Sequence, residues 1–216
     1  MIEGKDNKTR GGILRFGMVG GASGSFIGDV HRKGAVFDGQ AQLVAGCFSP
    51  NYERTVLTGE NLGLDPTRLY RSHDEMAEKE AARDDGIDFV IIAAPNYAHY
   101  AAAKAFLLQG IHVVCEKPLS FTVEEAEELD RISAEKGLLF CVTYVYSQCP
   151  AVKQAQMMVQ RGEIGEIQVV VAEYPQGWLA TALEYEDNKQ AAWRTDPKQA
   201  GISNCVGDIG SHIENT

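Results

Sequence analysis

The fold follows from one glycine-rich segment, Gly17-Met18-Val19-Gly20-Gly21-Ala22-Ser23-Gly24-Ser25-Phe26-Ile27-Gly28, which overlaps the end of an apolar run at residues 13–19. The apolar run predicts a buried strand, and the residues after the glycines predict a helix over residues 26–37. Glycines let the backbone approach a ligand closely, and the free N–H groups of a first helical turn attract an anion. The segment therefore predicts a cradle for a pyrophosphate.

The spacing of these glycines departs from the common G-x-G-x-x-G pattern of dinucleotide-binding proteins. Gly20, Gly21, Gly24 and Gly28 follow a G-G-x-x-G-x-x-x-G spacing, and Ser25 stands where the third glycine of the common pattern would fall. Taken alone, the segment is also compatible with a glycine-rich surface turn that binds nothing. The choice between the two depends on the rest of the chain.

Composition limits the class of protein. The chain has 216 residues, of which 44% are hydrophobic and 23% charged, enough for one large domain or two small ones with a buried core. The net charge of -10 argues against a nucleic-acid partner, whose phosphates need a basic surface. No apolar run is long enough to cross a membrane, and the first ten residues lack an apolar secretion signal. The five cysteines show no metal-binding or redox spacing, so we expect a cytoplasmic protein without a metal site.

Strands and helices are predicted to alternate after the glycine segment. The expected strands lie at residues 41–48, 88–94, 111–115 and 138–146, and the expected helices at residues 52–60, 72–83, 97–108 and 123–136. This order predicts an α/β fold with a doubly wound parallel sheet at residues 12–148, preceded by a disordered lead-in at residues 1–11. Residues 149–216 predict the start of an α+β domain, with a helix at 152–161, a turn and a long strand at 164–173 and the first turns of a helix from residue 208.

The end of the second predicted strand bears on the choice of cofactor. An NAD-specific site usually has a carboxylate there for the ribose 2′-OH, whereas this chain has Ser49-Pro50-Asn51. Ser49 and Arg54 suit a 2′-phosphate instead, which slightly favours NADP. The same residues equally resemble a helix N-cap.

Ligands in an open α/β sheet bind beyond the carboxyl ends of the strands, where Pro95-Asn96 and Glu116-Lys117-Pro118 both fall. Asn96 is also a candidate cap for the helix that follows it. Lys117, between a buried strand and a proline, is placed to donate to the oxygen of a substrate alcohol. The alternative is a surface lysine paired with Glu116.

A carboxylate and a histidine near the end of the sequence are further candidate catalytic groups. Asp208 and His212 are four residues apart, on one face of the predicted helix, where a carboxylate can orient an imidazole and raise its basicity. His212 could then take the hydroxyl proton of an alcohol while hydride leaves its carbon. The alternative is a helix-start carboxylate near an unrelated histidine.

Together these motifs resemble the Gfo/Idh/MocA family, named for glucose-fructose oxidoreductase, inositol dehydrogenase and a rhizopine-catabolism protein. The Glu-Lys-Pro element followed much later by Asp-x-x-x-His is the most discriminating pair. The resemblance rests on six segments in the family's order: residues 18–28, Ala94-Pro95-Asn96-Tyr97-Ala98-His99, Cys115-Glu116-Lys117-Pro118-Leu119, Gly162-Glu163-Ile164-Gly165, Ala192-Trp193-Arg194 and Gly207-Asp208-Ile209-Gly210-Ser211-His212.

The resemblance implies a Rossmann domain, then an α+β domain that usually builds a homo-oligomer, and NAD(P)-dependent oxidation or reduction of a sugar, inositol or related polyol. By this resemblance Lys117, Asp208 and His212 are catalytic, and Tyr146, Asp208 and His212 contact the substrate. The motifs and the resemblance together assign the cofactor to Gly20, Gly21, Ser23, Gly24, Ser25, Phe26, Ile27, Ser49, Arg54, Pro95, Asn96, His99, Glu116, Lys117, Trp193 and Arg194.

Family members usually continue well past residue 216, which falls inside the predicted helix of Asp208 and His212. We therefore expect a C-terminally truncated chain with weak or no turnover by itself. A second hypothesis is a dinucleotide-binding regulatory or scaffold protein without catalysis. A third is another Rossmann protein such as a methyltransferase, which would prefer an acidic residue where Phe48 and Ser49 stand.

Overall fold

The computed structural model describes residues 12–178, 180–203 and 205–216, so the lead-in expected at residues 1–11 lies outside the described residues. The strands are β1 (Leu14–Gly20), β2 (Ala41–Cys47), β3 (Phe89–Ala93), β4 (His112–Cys115) and β5 (Phe140–Val142). The helices are α1 (Phe26–Val36), α2 (Tyr52–Asn61), α3 (His73–Ala81), α4 (His99–Leu108), α5 (Val123–Lys136), α6 (Pro150–Gln160), α7 (Lys189–Thr195), α8 (Pro197–Ala200) and α9 (Ser211–Asn215).

The five strands form one parallel sheet in the order β2-β1-β3-β4-β5, which confirms the predicted doubly wound α/β fold. The order reverses between β1 and β3, because the chain moves outward to β2 first and later to β4 and β5. Such a reversal opens a crevice at the carboxyl ends of the two central strands.

Alternate residues of the strands build two apolar layers, one on each face of the sheet. On one face Val90, Ile92 and Val113 pack with residues of α3, α4 and α5, among them Phe106 of α4. On the other face Phe16, Met18 and Ile91 pack with Ile27 of α1. Helices α1 and α4 therefore cover opposite faces of the sheet, and both begin near the crevice.

Two predicted boundaries shift in the structure. The strand expected at 138–146 is only three residues long, because the Tyr144 amide turns back to donate to the Val142 carbonyl. The helix expected from residue 97 begins at His99, after a 3₁₀ turn over Asn96–Ala98. The prediction that Asn96 caps this helix is wrong, since its side-chain amide donates to the Ala200 carbonyl at 3.0 Å.

The strand expected at residues 164–173 is absent from the structure, and Val169, Val170 and Val171 are 77–80% exposed. A strand needs a neighbour to share its backbone hydrogen bonds, and no segment among residues 12–178, 180–203 and 205–216 pairs with this one. The predicted C-terminal helix is a π-helical turn over Val206–Gly210 followed by α9. Among the helices of the described residues, none is long and apolar enough to cross a membrane.

Candidate active site

The glycine segment forms a tight turn between β1 and α1. Gly20 has φ +78°, and a Cβ there would lie 2.5 Å from the Ala93 carbonyl oxygen of the neighbouring strand. A Cβ on Gly28 would lie 2.4 Å from Gly21 Cα, so α1 packs directly against the turn. Gly24, with φ +86°, faces open space at the tip of the loop. Tight turn, close ligand approach and close helix packing are the three roles of glycines in a pyrophosphate cradle. The structure shows the tight turn at Gly20 and the close helix packing at Gly28.

Some amide groups of this turn donate hydrogen bonds within the protein, whereas others lie at the start of α1, where the helix supplies no acceptor. Ser25 is the N-cap of α1, and its Oγ accepts from the Gly28 amide at 3.2 Å. The Ser23 amide donates to Thr58 Oγ1 of α2 at 3.1 Å, which ties the turn to α2. The amides of Phe26 and Ile27, in the first turn of α1, have no acceptor within the helix. These two amides are therefore the helix-end donors best suited to an anion.

The carboxyl end of β2 is occupied by a helix cap. Asn51 is the N-cap of α2, and its side chain accepts from the Arg54 amide at 3.2 Å. The Ser49 hydroxyl accepts from the Asn51 amide at 3.2 Å, whereas the Arg54 side chain is exposed. The capping interpretation is confirmed, and the 2′-phosphate role of Ser49 and Arg54 stays a prediction.

The turn after β4 places Glu116 and Lys117 in separate contacts. Glu116 Oε1 lies 2.7 Å from His31 Nε2 and accepts from Thr143 Oγ1 at 2.7 Å. Burial raises the pKa of Glu116, whereas the hydrogen bonds from His31 and Thr143 and the Lys117 charge lower it, and the net pKa is lowered. Lys117 Nζ donates to Asp208 Oδ1 at 2.7 Å and to the Asp208 carbonyl at 2.6 Å. The alternative of a surface lysine paired with Glu116 is therefore wrong.

His99 is fully buried under this turn. Its Nδ1 lies 2.7 Å from the Pro118 carbonyl oxygen and its Nε2 lies 2.9 Å from the Ala94 carbonyl oxygen. Burial lowers the pKa of His99, opposed by the two carbonyls. The ring thus joins the loops that follow β3 and β4, and it holds these loops in place without reaching the surface. Pro95, beside it, is exposed.

Two cationic side chains form ion pairs with Asp208. Besides Lys117, Arg194 approaches it, with Nε 3.4 Å from Oδ2, and the Arg194 guanidinium lies 4.3 Å from the Trp193 ring centre. Burial lowers the pKa of Arg194, and Asp208 opposes that shift. The expected contact between Asp208 and His212 is absent from the described residues, because each carboxylate oxygen faces a cation.

His212 is buried, and in the part of the chain that the structure describes its Nδ1 has no hydrogen-bond partner. Its ring meets Tyr146 edge-on at 4.8 Å and Tyr144 at 6.0 Å between centroids. The Tyr146 hydroxyl lies 2.5 Å from that of Tyr174. Burial and the Lys117 charge lower the pKa of His212, with Asp208 and Glu116 acting in the opposite direction. The imidazole is therefore neutral at neutral pH and can accept a proton.

Sequence reasoning missed His31, Thr143, Tyr144 and Tyr174 at this site. His31 lies in α1 and contacts Glu116 only through the fold, since the two are 85 residues apart in sequence. Residues 12–178, 180–203 and 205–216 contain no group of His, Cys, Asp and Glu that could hold a metal ion.

A parallel sheet with a glycine turn at the reversal of its strand order defines a Rossmann protein of the dinucleotide-binding class. The family model described as "Oxidoreductase family, NAD-binding Rossmann fold" matches residues 14–144, and the Gfo/Idh/MocA C-terminal domain matches residues 152–216. The chain therefore belongs to the Gfo/Idh/MocA family of oxidoreductases, which excludes the methyltransferase hypothesis. The description of this family model identifies residues 14–144 as an NAD-binding Rossmann fold.

Similar proteins cover nearly all of the chain. It is 42% identical to the uncharacterized oxidoreductase YfiI of Bacillus subtilis, over 92% of this chain and 51% of that relative. It is 35% identical to levoglucosan dehydrogenase of Pseudarthrobacter phenanthrenivorans, over 83% of this chain and 47% of that relative. The chain therefore spans about half the length of these curated relatives.

Solved structures show the same fold. An inositol dehydrogenase homolog from Azotobacter vinelandii, complexed with NAD+, superposes with a TM-score of 0.90 at 42% identity, over 94% of this chain and 52% of that chain. A second structure of that homolog, with NADH and myo-inositol, has a TM-score of 0.84 at 40% identity, over 93% of this chain and 50% of that chain.

Proposed function

We propose that the whole protein is an NAD(P)-dependent oxidoreductase that acts on a CH–OH group of a sugar, inositol or related polyol. The observation that carries the proposal is the ion pair of Lys117 with Asp208 at the crevice of the glycine turn. His212, four residues after Asp208, is buried, and its Nδ1 has no hydrogen-bond partner among the described residues. The relatives support it, since they include a levoglucosan dehydrogenase and an inositol dehydrogenase homolog with NADH and myo-inositol.

The residues of the glycine turn fit a dinucleotide. Gly20 and Gly28 leave no room for a side chain, and Gly24 leaves the tip of the loop open to a ligand. We propose that the turn and the first residues of α1 hold the pyrophosphate, that Pro95, Asn96, Glu116 and Lys117 lie along the cofactor, and that Trp193 and Arg194 approach its nicotinamide end. A bound nicotinamide accepts or supplies the hydride.

The proton chemistry belongs to this chain's own side chains. His212, neutral at neutral pH because its pKa is lowered, takes the proton of the substrate hydroxyl when hydride leaves the carbon. The Lys117 ammonium, held by Asp208, stabilises the negative charge that develops on that oxygen. Tyr146, beside His212, is proposed to contact the substrate ring. We further propose a Rossmann domain at residues 12–148, a substrate and oligomerisation domain from residue 149, and a homo-oligomeric whole protein.

Titration of the chain with NAD+, NADH, NADP+ and NADPH tests the proposal. Binding to the folded state alone raises the free energy of unfolding by about 2.7 kcal/mol at a ligand concentration 100 times Kd, which a thermal shift detects. We expect stabilisation by at least one of the four, with NADP+ or NADPH slightly favoured because Ser49 and Arg54 replace the usual carboxylate. A melting temperature unchanged by all four dinucleotides would contradict the proposed function. ADP-ribose serves as the control that lacks a nicotinamide.

A further inference from the structure

Lys117 stands between two residues that are each held by a histidine from opposite faces of the sheet. On one side His31, from α1, contacts the Glu116 carboxylate at 2.7 Å. On the other side His99, from α4, contacts the Pro118 carbonyl at 2.7 Å. The backbone on both sides of Lys117 is therefore fixed by helices that pack on different layers of the core.

We propose that His31 is a positioning residue that keeps the Glu116 carboxylate from competing with Asp208 for the Lys117 ammonium. The inference rests on the proposed function for its meaning in catalysis, because that function needs Lys117 to face the substrate oxygen. The assignment itself rests on the contacts of Glu116.

Glu116 is a mostly buried anion, with 13% of its side chain exposed. A carboxylate in such a place is stable only when charged or polar donors surround it. Glu116 receives one donor from Thr143 at 2.7 Å and one from the Lys117 amide at 3.3 Å. His31 supplies the remaining close contact. A carboxylate can only accept, so His31 Nε2 is the protonated nitrogen.

Without His31, Glu116 would have a cation within reach. Its neighbour in sequence, Lys117, carries a long flexible side chain whose ammonium is satisfied by Asp208 alone among the described residues. The charges of Lys117 and Glu116 already act on each other across this turn, since Lys117 helps to lower the pKa of Glu116. A carboxylate that loses its His31 donor becomes a second attractive partner for that ammonium. Lys117 would then divide its time between Glu116 and Asp208.

The side-chain ammonium ¹⁵N resonance of Lys117, assigned by its loss in Lys117→Arg, reads this pairing without any ligand. We expect His31→Ala to move the resonance part of the way towards its position in Asp208→Asn. His31→Gln, whose amide can still donate to Glu116, should leave it close to the wild-type position. An unchanged resonance in His31→Ala would overturn the proposal.

A double variant keeps the test sharp if His31→Ala is poorly folded. Glu116→Gln removes the competing charge, so Lys117 should pair with Asp208 in the His31→Ala/Glu116→Gln variant as it does in Glu116→Gln. A Lys117 resonance displaced equally in His31→Ala and in the double variant would show general disorder of the turn and overturn the proposal.

Ligand affinity then connects this arrangement to function. In His31→Ala we expect the Kd for NADH to rise about tenfold, while the Kd for ADP-ribose, which lacks the nicotinamide, stays within about twofold. Equal losses for both ligands would contradict a local role of His31. Failure of the wild-type chain to bind NADH would contradict the proposed function, and the Lys117 resonance would still decide the role of His31.

Discussion

At His212, burial and the nearby Lys117 charge act on the imidazole in the same direction, and both lower its pKa. The sequence spacing of Asp208 and His212 predicts the opposite, a carboxylate that raises the basicity of the ring. Asp208 does act in that direction, but its oxygens face Lys117 and Arg194, and its effect on His212 is the smaller one. A proton acceptor that stays neutral at neutral pH suits the proposed reaction.

Removing the Lys117 charge should raise the pKa of His212. In Lys117→Met we expect the Cε1–H proton signal of His212 to titrate at a higher pH than in the wild type. Lys104→Met is the matched control, because Lys104 pairs with Glu128 on the surface of α4 and α5, and it should leave the His212 titration unchanged. Identical His212 curves in the wild type and in Lys117→Met would contradict the electrostatic role of Lys117.

The lowered pKa of His212 also makes the free energy of unfolding depend on pH. The folded-state pKa of His212 is lower than its unfolded value of about 6.5, so the unfolded chain binds more protons as pH falls through that range. The contribution of His212 to the free energy of unfolding is therefore complete above about pH 6.5 and declines below it. That acid-side decline should be smaller in Lys117→Met, as followed by urea unfolding at several pH values.

Residue types and spacing in the sequence indicate Lys117, Asp208 and His212, and the structure brings Lys117 and Asp208 into contact. The partners of these residues could not be predicted in the same way. His31 is an unremarkable histidine in a helix until the fold sets it 2.7 Å from Glu116, and no local pattern encodes that distance.

At the scale of elements, two glycines of α1 differ in whether the fold requires them. Gly28 lies against Gly21, where a Cβ would come within 2.4 Å of backbone. Gly34, in the same helix, is exposed and faces open space. The sequence pattern indicates a glycine-rich turn, whereas only the structure separates the glycine that is sterically required from the one that is not.

We therefore expect opposite effects of the same substitution along α1. Gly28→Ala should destabilise the fold by about 1–3 kcal/mol, because the clash is with backbone and the helix must shift. It should also weaken dinucleotide binding. Gly34→Ala should stabilise by about 0.5–1 kcal/mol through helix propensity, with binding unchanged. Urea unfolding and dinucleotide titration measure both effects, and a stable Gly28→Ala variant with wild-type binding would contradict the assigned role of Gly28.

The alternation of β1 to β5 with helices was predictable because each element carries its own apolar period and its own end signals. The segment at residues 164–173 has an equally strong strand pattern and forms no strand. Its valines favour extended backbone locally, but a strand forms only when a neighbouring strand shares its hydrogen bonds, and no described residue supplies one. A strand pattern therefore predicts a strand only where another segment is in place to pair with it.

At the scale of the whole molecule, a few polar contacts join the C-terminal segment, residues 197–203 and 205–216, to the turns that follow the strands of the sheet. Asn96 donates to the Ala200 carbonyl, and Lys117 donates to Asp208, across 104 and 91 residues of sequence respectively. The His212 ring also packs edge-to-face with the rings of Tyr144 and Tyr146. Two of these joining residues, Asn96 and Lys117, follow the carboxyl ends of β3 and β4, so the candidate site and the attachment of the C-terminal segment are built from the same turns.

Exchanging the Asn96 amide for a carboxylate should loosen this attachment while leaving the sheet intact. In Asn96→Asp the buried donor becomes an acceptor that faces the Ala200 carbonyl, a loss of about 1–3 kcal/mol. We expect amide hydrogen exchange to accelerate about tenfold or more in residues 197–203 and 205–216, with β1, β3 and β4 unchanged. Asn51→Asp is the matched control, because Asn51 acts as an acceptor at the α2 N-cap and Asp caps equally well, so its exchange should match the wild type. If exchange in the C-terminal segment is as slow in Asn96→Asp as in Asn51→Asp, then Lys117 and His212 hold that segment without Asn96, and the Lys117–Asp208 contact of the candidate site is itself the main attachment.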